Sequence, residues 1–288
     1  MVGGSWPEDL AVGLPAGTRL ALVARHLELG HEFAVRAHEP VPAASTIKVP
    51  IMIAAHAAVR RRRLSWQERL AVEARHQVDP ESPLNTVAPG SGYTARELLA
   101  RMITVSDNIA TNLLIERLGM AAINELTAAL GFPGTVLRRY MADYAARARG
   151  QDNTTTAADM ARIMELLARQ AIPGWRAMLR VLRAQQDREK IPDHLPAGLP
   201  IANKPGELPG LRADVALIAS PGGPLVMSIF LDGLADEASG DALIGRLARA
   251  IYDRWESAPA RPRAGRGFRP PSPSSPWQGE GARPRQEA

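Results

Sequence analysis

Ser45 and Lys48 stand three positions apart and form the first pattern in this sequence that could perform chemistry. On a helix, residues i and i+3 share a face, so the serine oxygen can approach the lysine amine. A helix N-terminus also favours negative charge that develops on that oxygen. The apolar run VPIMIAAHAAV follows Lys48, and desolvation of an amine favours its neutral, basic form. The pair indicates an activated serine nucleophile, although a Ser with a nearby Lys is also ordinary at a helix start.

The segment Ser-Asp-Asn at residues 106–108 begins 61 residues after Ser45. It is typical of a helix N-cap. Its functional interpretation is that the Ser106 hydroxyl relays a proton to a leaving nitrogen while the Asn108 amide binds a substrate carbonyl. From the residues alone, both interpretations stay open.

The segment Lys-Pro-Gly at residues 204–206 follows 98 residues after Ser106, within the run IANKPG, which has strand signals. A strand lysine, Lys204, that precedes a glycine, Gly206, suggests an anion site beside an approaching ligand backbone. Arg212 lies six residues further on, ahead of the apolar run DVALIA. Taken separately, both cations are also typical of surface charges.

Two groups of strands that flank a helical middle must position these segments. Residues 18–39 predict two strands with a break at Gly30, and IANKPG, RADVALIAS and LVMSIFLDG predict three more. Helices are predicted at about 46–63, 65–71, 94–103, 106–118, 121–130, 157–170, 174–187 and 241–255. Strands from both chain ends can share a sheet only if the chain closes on itself. We therefore predict an α+β fold, with an antiparallel sheet formed by both chain ends and an all-helical block inserted at about 60–190.

Composition excludes several classes of protein. The chain has no Cys, and its six His show no zinc-hydrolase spacing, so no metal site is expected and no cofactor is implied. The net charge is +5, but six Arg and two Glu fall in residues 257–288, so nucleic acid is not an expected partner. No apolar run reaches the roughly 18 residues of a membrane helix, so no membrane partner is expected.

The chain divides into three predicted regions. Residues 1–17 form an N-terminal extension, 18–256 the catalytic domain, and 257–288 a Pro- and Arg-rich tail that is expected to be disordered. The first 15 residues lack a basic region and a long apolar region, so no signal peptide is visible. We expect a cytoplasmic monomer as the sequence is written, and an exported protein if the start codon is mis-assigned.

The three segments together, in this order and at these spacings, resemble the motifs of class A serine β-lactamases and penicillin-binding proteins. The resemblance runs from about residue 19 to about residue 255. It implies that Ser45 attacks a carbonyl and forms an acyl-enzyme, that Lys48 accepts the serine proton, and that Ser106 passes a proton to the departing nitrogen. It also implies an oxyanion hole made by the backbone N–H groups of Ser45 and Glu207.

The same resemblance implies how a substrate is held. Asn108 would bind the acylamide side chain, and Lys204, with Gly206 beside it, would attract the substrate carboxylate. Arg212 falls where many such enzymes place a second carboxylate-binding arginine. Pro205 departs from the family pattern, because the family has Thr or Ser there, whose hydroxyl binds the same carboxylate.

A second departure concerns the step that releases the acyl group. Class A enzymes carry a Glu that activates the deacylating water, in a loop before the Thr-rich start of the next helix. Alignment on the Asn-Thr-Thr-Thr run at residues 153–156 puts Tyr140 or Met141 at that position. Asp143 is the nearest acid, either a substitute base or a solvated loop residue, and we favour the solvated residue.

The sequence therefore predicts a serine hydrolase that acts on a small molecule, a β-lactam or a related amide or ester, with impaired deacylation. Two alternatives stay open. One is an esterase or D-alanyl peptidase-like acyl-transfer enzyme. The other is a β-lactam sensor that is acylated without turnover.

Overall fold

The computed structural model describes residues 14–77 and 79–256. Most of the predicted N-terminal extension and the whole predicted tail therefore lie outside the described residues. The strands are β1 Arg19–His26, β2 His31–Val35, β3 Val41–Pro42, β4 Arg69–Val72, β5 Ser91–Thr94, β6 Thr154–Thr155, β7 Ile201–Leu208, β8 Leu211–Ser220 and β9 Gly223–Asp232. The α-helices are α1 Lys48–Arg60, α2 Ala95–Thr104, α3 Asn108–Leu118, α4 Met120–Ala129, α5 Tyr144–Ala148, α6 Ala157–Ala168, α7 Trp175–Arg183, α8 Ile191–His194 and α9 Glu237–Glu256.

Strands from both ends of the chain build one five-stranded sheet in the order β2-β1-β9-β8-β7, and every neighbouring pair is antiparallel. This confirms the predicted α+β fold. The central strands β1, β8 and β9 are buried at consecutive positions instead of alternating ones. Consecutive burial follows when both faces of a sheet are covered.

Helix α9 covers one face of the sheet, and α6 and the turn at residues 44–47 pack on the other. Helix α1 is buried at each position from Lys48 to Ala55, so apolar residues surround it on every side. A helix that is apolar all round belongs inside a protein. The end of α1 that carries Lys48 is thus enclosed within the core.

The helix predicted at 65–71 is wrong, because residues 69–72 form β4, which pairs with β5. The segment is too short to be stabilised as an isolated helix. Its strand partners lie 19 to 25 residues away in sequence, beyond the reach of local periodicity. The last helix also begins at Glu237, four residues earlier than predicted. Within residues 14–77 and 79–256, no helix is long and apolar enough to cross a membrane.

Candidate active site

Ser45 lies in a 3-10 turn, Ala44–Ile47, that leads directly into α1. Its neighbour Ala44 has a backbone φ of 46°, in the left-handed region that non-glycine residues rarely adopt. Strain of this kind persists only where the surroundings over-determine it, and it is common at active sites. The turn is pinned from within, because the Thr46 hydroxyl donates to the Ala43 carbonyl at 2.6 Å.

Lys48 is fully buried, and its Nζ atom lies within hydrogen-bonding distance of four oxygens. These are Ser45 Oγ at 2.9 Å, Ser106 O at 2.7 Å, Ser106 Oγ at 2.8 Å and Asn108 Oδ1 at 2.7 Å. Burial, together with the neighbouring Lys204 charge, holds the pKa of Lys48 well below its ordinary value. The amine next to the predicted nucleophile is thus poised to be neutral.

Ser106 stands just outside helix α3, which begins two residues later than predicted. Asp107 is the N-cap and accepts from Ala110 N at 2.8 Å, whereas Ser106 has a φ of 57°. Both the carbonyl and the hydroxyl of Ser106 contact Lys48, and the hydroxyl also lies 3.1 Å from Lys204 Nζ. The serine hydroxyl therefore bridges the two buried lysines.

Lys204 lies on β7, the edge strand of the sheet nearest the Ser45 turn. Burial lowers the pKa of Lys204 to about 8. Gly206, on the same strand, leaves no room for a side chain, since a Cβ there would lie 3.2 Å from the Ser45 backbone nitrogen and 3.1 Å from Thr46 Cγ2. Glycine thus allows β7 to pack directly on the nucleophile's turn.

Pro205 sits in the ladder between β7 and β8 opposite Asp214, on an edge strand where a proline is tolerated. Proline has no N–H to donate, and the direction of the N–H groups repeats every second residue along an antiparallel strand. The N–H of Glu207 is therefore expected to point away from β8, toward the open edge. Ser45, Gly206 and Glu207 line one cleft of about 410 Å³ at that edge, together with Ser106 and Asn108.

A comparison with known protein families gives a match to the β-lactamase enzyme family over residues 11–255. The chain belongs to that family. Its members are serine hydrolases that work through an acyl-enzyme.

Solved structures of the family superpose on this chain over most of its length. A β-lactamase from Sphaerobacter thermophilus gives a TM-score of 0.81 at 29% identity, and the match covers 88% of this chain and 97% of that one. PBP-A gives 0.80 at 30% identity, covering 87% and 95%. An ancestral class A β-lactamase gives 0.78 at 28% identity, covering 86% and 97%. A variant of PBP-A has been solved as an acyl-enzyme complex with penicillin-G.

Arg212, expected at the carboxylate end of this family's cleft, is directed elsewhere. Its guanidinium pairs with Glu237 at 2.6 Å and with Asp241 at 3.4 Å, both on α9. Arg212 of β8 lies opposite Glu207 of β7, so the two side chains share one face of the sheet. Lys204 is three residues before Glu207 on the same strand, and its side chain therefore lies on the other face. The structure therefore does not bring Arg212 together with the other predicted site residues.

Of the two residues predicted at the loop position of the class A Glu, Tyr140 is exposed and Met141 is buried. Asn112, four residues after Asn108, donates from Nδ2 to the Met141 carbonyl at 3.0 Å and accepts from the Met141 N–H at 2.7 Å. The Met141 side chain is buried in the main apolar core. Asp143 caps α5, since its Oδ1 accepts from Ala146 N at 2.9 Å.

Two residues near the cleft were not predicted from the sequence. Asp79 accepts a hydrogen bond from Asn108 Nδ2 at 2.7 Å. Lys190 is 1% exposed and pairs with Glu207 at 2.5 Å, Asp187 at 3.2 Å and Asp241 at 3.3 Å. The sequence has three lysines, Lys48, Lys190 and Lys204, and all three are buried at or beside this site. That distribution, against 32 arginines, is the one feature of the sequence that could have marked Lys190.

Proposed function

We propose that this chain is acylated at Ser45 by β-lactams or by related amides and esters, and that it releases the acyl group slowly. The observation that carries the first half is the position of Lys48 Nζ, 2.9 Å from Ser45 Oγ and completely buried. The second half is supported by the sequence alignment, which puts Tyr140 or Met141, and no carboxylate, at the loop position where class A enzymes have a Glu.

The hydrogen-bond partners of Lys48 support its action as a base. Two of them, Ser106 O and Asn108 Oδ1, can only accept, so they take two hydrogens of the amine. A neutral amine has only two hydrogens, and its lone pair then faces the remaining partners, the hydroxyls of Ser45 and Ser106. The lowered pKa of Lys48 favours this neutral form. Lys48 can then take the Ser45 proton as the serine oxygen attacks the carbonyl carbon.

Ser106 supports delivery of the proton to the leaving group. Its hydroxyl lies 2.8 Å from Lys48 and 3.1 Å from Lys204, so it can receive a proton from Lys48 while it passes its own to the departing nitrogen or oxygen. The backbone N–H groups of Ser45 and Glu207 would hold the oxyanion. The loss of one such donor typically costs about 10²–10³ in rate.

The carboxylate end of the cleft is weaker than the family pattern implies. Pro205 lacks the hydroxyl, and Arg212 is bound to α9. Of the two cations predicted to bind a substrate carboxylate, only Lys204 then remains beside Ser106. This favours the alternative of an esterase-like enzyme, because an ester without a carboxylate loses least from such a site.

Slow release rests on the chemistry of the loop. The thioether of Met141 cannot act as a general base, and Oδ1 of Asp143 is occupied as the cap of α5. General-base assistance typically supplies about 10²–10⁴-fold. Without it, hydrolysis of the acyl-enzyme should lag behind its formation. If the acyl group were not released at all, the protein would act as a sensor and not as an enzyme with turnover.

Intact-mass spectrometry during incubation with penicillin-G tests the proposal. We expect an adduct of one penicillin mass that forms quickly and decays over a much longer time. A persistent adduct would favour the sensor. Absence of any adduct with penicillin, together with turnover of a simple ester, would favour the esterase and contradict acylation by β-lactams.

A further inference from the structure

Asp79 ends a chain of polar contacts that begins at the nucleophile. Ser45 Oγ lies 2.9 Å from Lys48 Nζ, and Lys48 Nζ donates to Asn108 Oδ1 at 2.7 Å. At the other end of the same amide, Asn108 Nδ2 donates to Asp79 Oδ2 at 2.7 Å. Asp79 is only 8% exposed and comes from a segment 29 residues before Asn108.

We propose that Asp79 is a positioning residue that fixes the orientation of the Asn108 amide and thereby holds Lys48 in place beside Ser45. The proposal rests on the proposed acylation at Ser45.

The side-chain amide of Asn108 has an oxygen at one end and an NH₂ group at the other. The two ends of the Asn108 side chain have almost the same shape, so packing alone does not choose between them. An ionised carboxylate only accepts, so Asp79 requires the NH₂ end to face it. The oxygen end must then face Lys48. A flipped amide would point N–H groups at the lysine N–H groups and leave the carboxylate facing an oxygen.

Asp79 is itself held firmly enough to do this. Its second oxygen, Oδ1, accepts from the Glu81 backbone N–H at 3.2 Å. A carboxylate with both oxygens bound and little exposure has one orientation, so its preference is passed on to Asn108. One of the two amide N–H groups is then occupied by Asp79, which leaves a single N–H for a substrate carbonyl.

Asp79 also acts on Lys48 through its charge. Three charged groups face the lysine: Lys204 lowers its pKa, and Asp107 and Asp79 raise it. Asp107 cannot be changed cleanly, because it caps α3 and binds the Ser82 hydroxyl at 3.0 Å and Leu84 N at 3.0 Å. Asp79 is therefore the group through which orientation and charge can be separated.

The experiment compares Asp79→Asn, Asp79→Ala and the control Glu81→Gln in the full chain. Asparagine removes the charge and keeps an acceptor, whereas alanine removes both. The control removes a carboxylate from the same cleft that makes no contact with Asn108 among the hydrogen bonds of the described residues. Two quantities are measured: the rate of penicillin acylation as a function of pH, and the titration of Lys48 by NMR with ¹³C-labelled lysine, where only three lysines contribute.

Loss of the Asp79 charge lowers the pKa of Lys48, so the acid limb of the acylation profile should move to lower pH. We expect a shift of about half a pH unit or more for both Asp79 variants, with the same shift in the NMR titration. Asp79→Ala should in addition reduce the maximal rate about tenfold, because the amide is free to turn. Glu81→Gln should leave the position of the limb unchanged.

Several outcomes would overturn the proposal. An unmoved limb and Lys48 titration in Asp79→Asn, or an equal shift in Glu81→Gln, would remove the specific role of Asp79. Equal maximal rates for Asp79→Ala and the unmodified chain would remove the positioning role. If the unmodified chain forms no adduct, acylation by penicillin is wrong, yet the NMR titration still decides whether Asp79 acts on Lys48.

Discussion

The acylation side of the cleft, formed by Ser45, Lys48 and Ser106, and the loop at residues 137–153 both contain many hydrogen bonds. The hydrogen bonds of the two regions have different roles. On the acylation side, the polar atoms of Ser45, Lys48 and Ser106 bind one another. In the loop, polar side chains bind the backbone or balance one another, as when Asp152 pairs with Arg139 and Arg147. The two carboxylates of the loop, Asp143 and Asp152, are thus both used to hold its shape.

The contrast shows that a loop can be well ordered without carrying a catalytic group. Asn112 binds both the N–H and the carbonyl of Met141, so the backbone of the loop is held in place at this residue. The side chain at that point is nevertheless apolar. Under the proposed function, the loop keeps its backbone arrangement and has no carboxylate at this position.

The largest effect is expected from Ser45→Ala, which removes the atom that forms the acyl bond. Labelling by a fluorescent penicillin should vanish, while the free energy of unfolding should change by no more than about 1 kcal/mol, since a small polar side chain near the surface is lost. Gel fluorescence and a denaturant melt measure the two quantities. Labelling that survives would show that the nucleophile is a residue other than Ser45.

Met141→Glu should give the loop a carboxylate that can act as a general base in deacylation. If the new carboxylate reaches the water beside the acyl carbonyl, the slow phase of a chromogenic cephalosporin reaction should accelerate by about 10²-fold. The initial burst should stay the same, because it reports acylation. Unfolding should become easier, since a carboxylate replaces a buried thioether. A stable variant with an unchanged slow phase would show that position 141 does not aim at Ser45.

The pH dependence of acylation should report the two buried lysines. Below its lowered pKa Lys48 carries a proton and cannot act as a base, so the rate should rise as the pH rises through that value. Above about 8, Lys204 loses its charge and no longer attracts a carboxylate. For penicillin, stopped-flow rates should then fall, by up to about tenfold for each further pH unit. A neutral ester serves as the control and should show a weaker fall. A penicillin rate that keeps rising well above that pH would contradict the role of Lys204.

The smallest effect is expected from Asp143→Asn. Asparagine caps a helix as well as aspartate, so the melting temperature should hardly change. Because Asp143 is bound to Ala146 N as a cap, the slow phase should change less than about twofold. A decrease of about a hundredfold in the slow phase with an unchanged burst would instead identify Asp143 as the base.

The sequence alone was sufficient to predict the strands of the sheet and to identify the three motifs. Long apolar runs at both chain ends are local signals, and they predicted strands that the structure pairs in one antiparallel sheet. Ser45 and Lys48 are three residues apart, so helical geometry alone brings them together. The meeting of Ser106 with both lysines spans 58 and 98 residues, and it followed from the resemblance to a family, not from the residues themselves.

Only the tertiary structure decided where Arg212 points and what Asp79 contacts. Side chains alternate between the faces of a strand, so a register shift of one residue across the turn from β7 to β8 would turn Arg212 to the other face. The two-residue turn at 209–210 fixes that register, but only the packing of α9 places Glu237 and Asp241 against that face. Asp79 lies in a segment without clear periodicity, and its partner is 29 residues away. Local chemistry can be read from spacing, whereas direction and long-range pairing depend on packing of the whole chain.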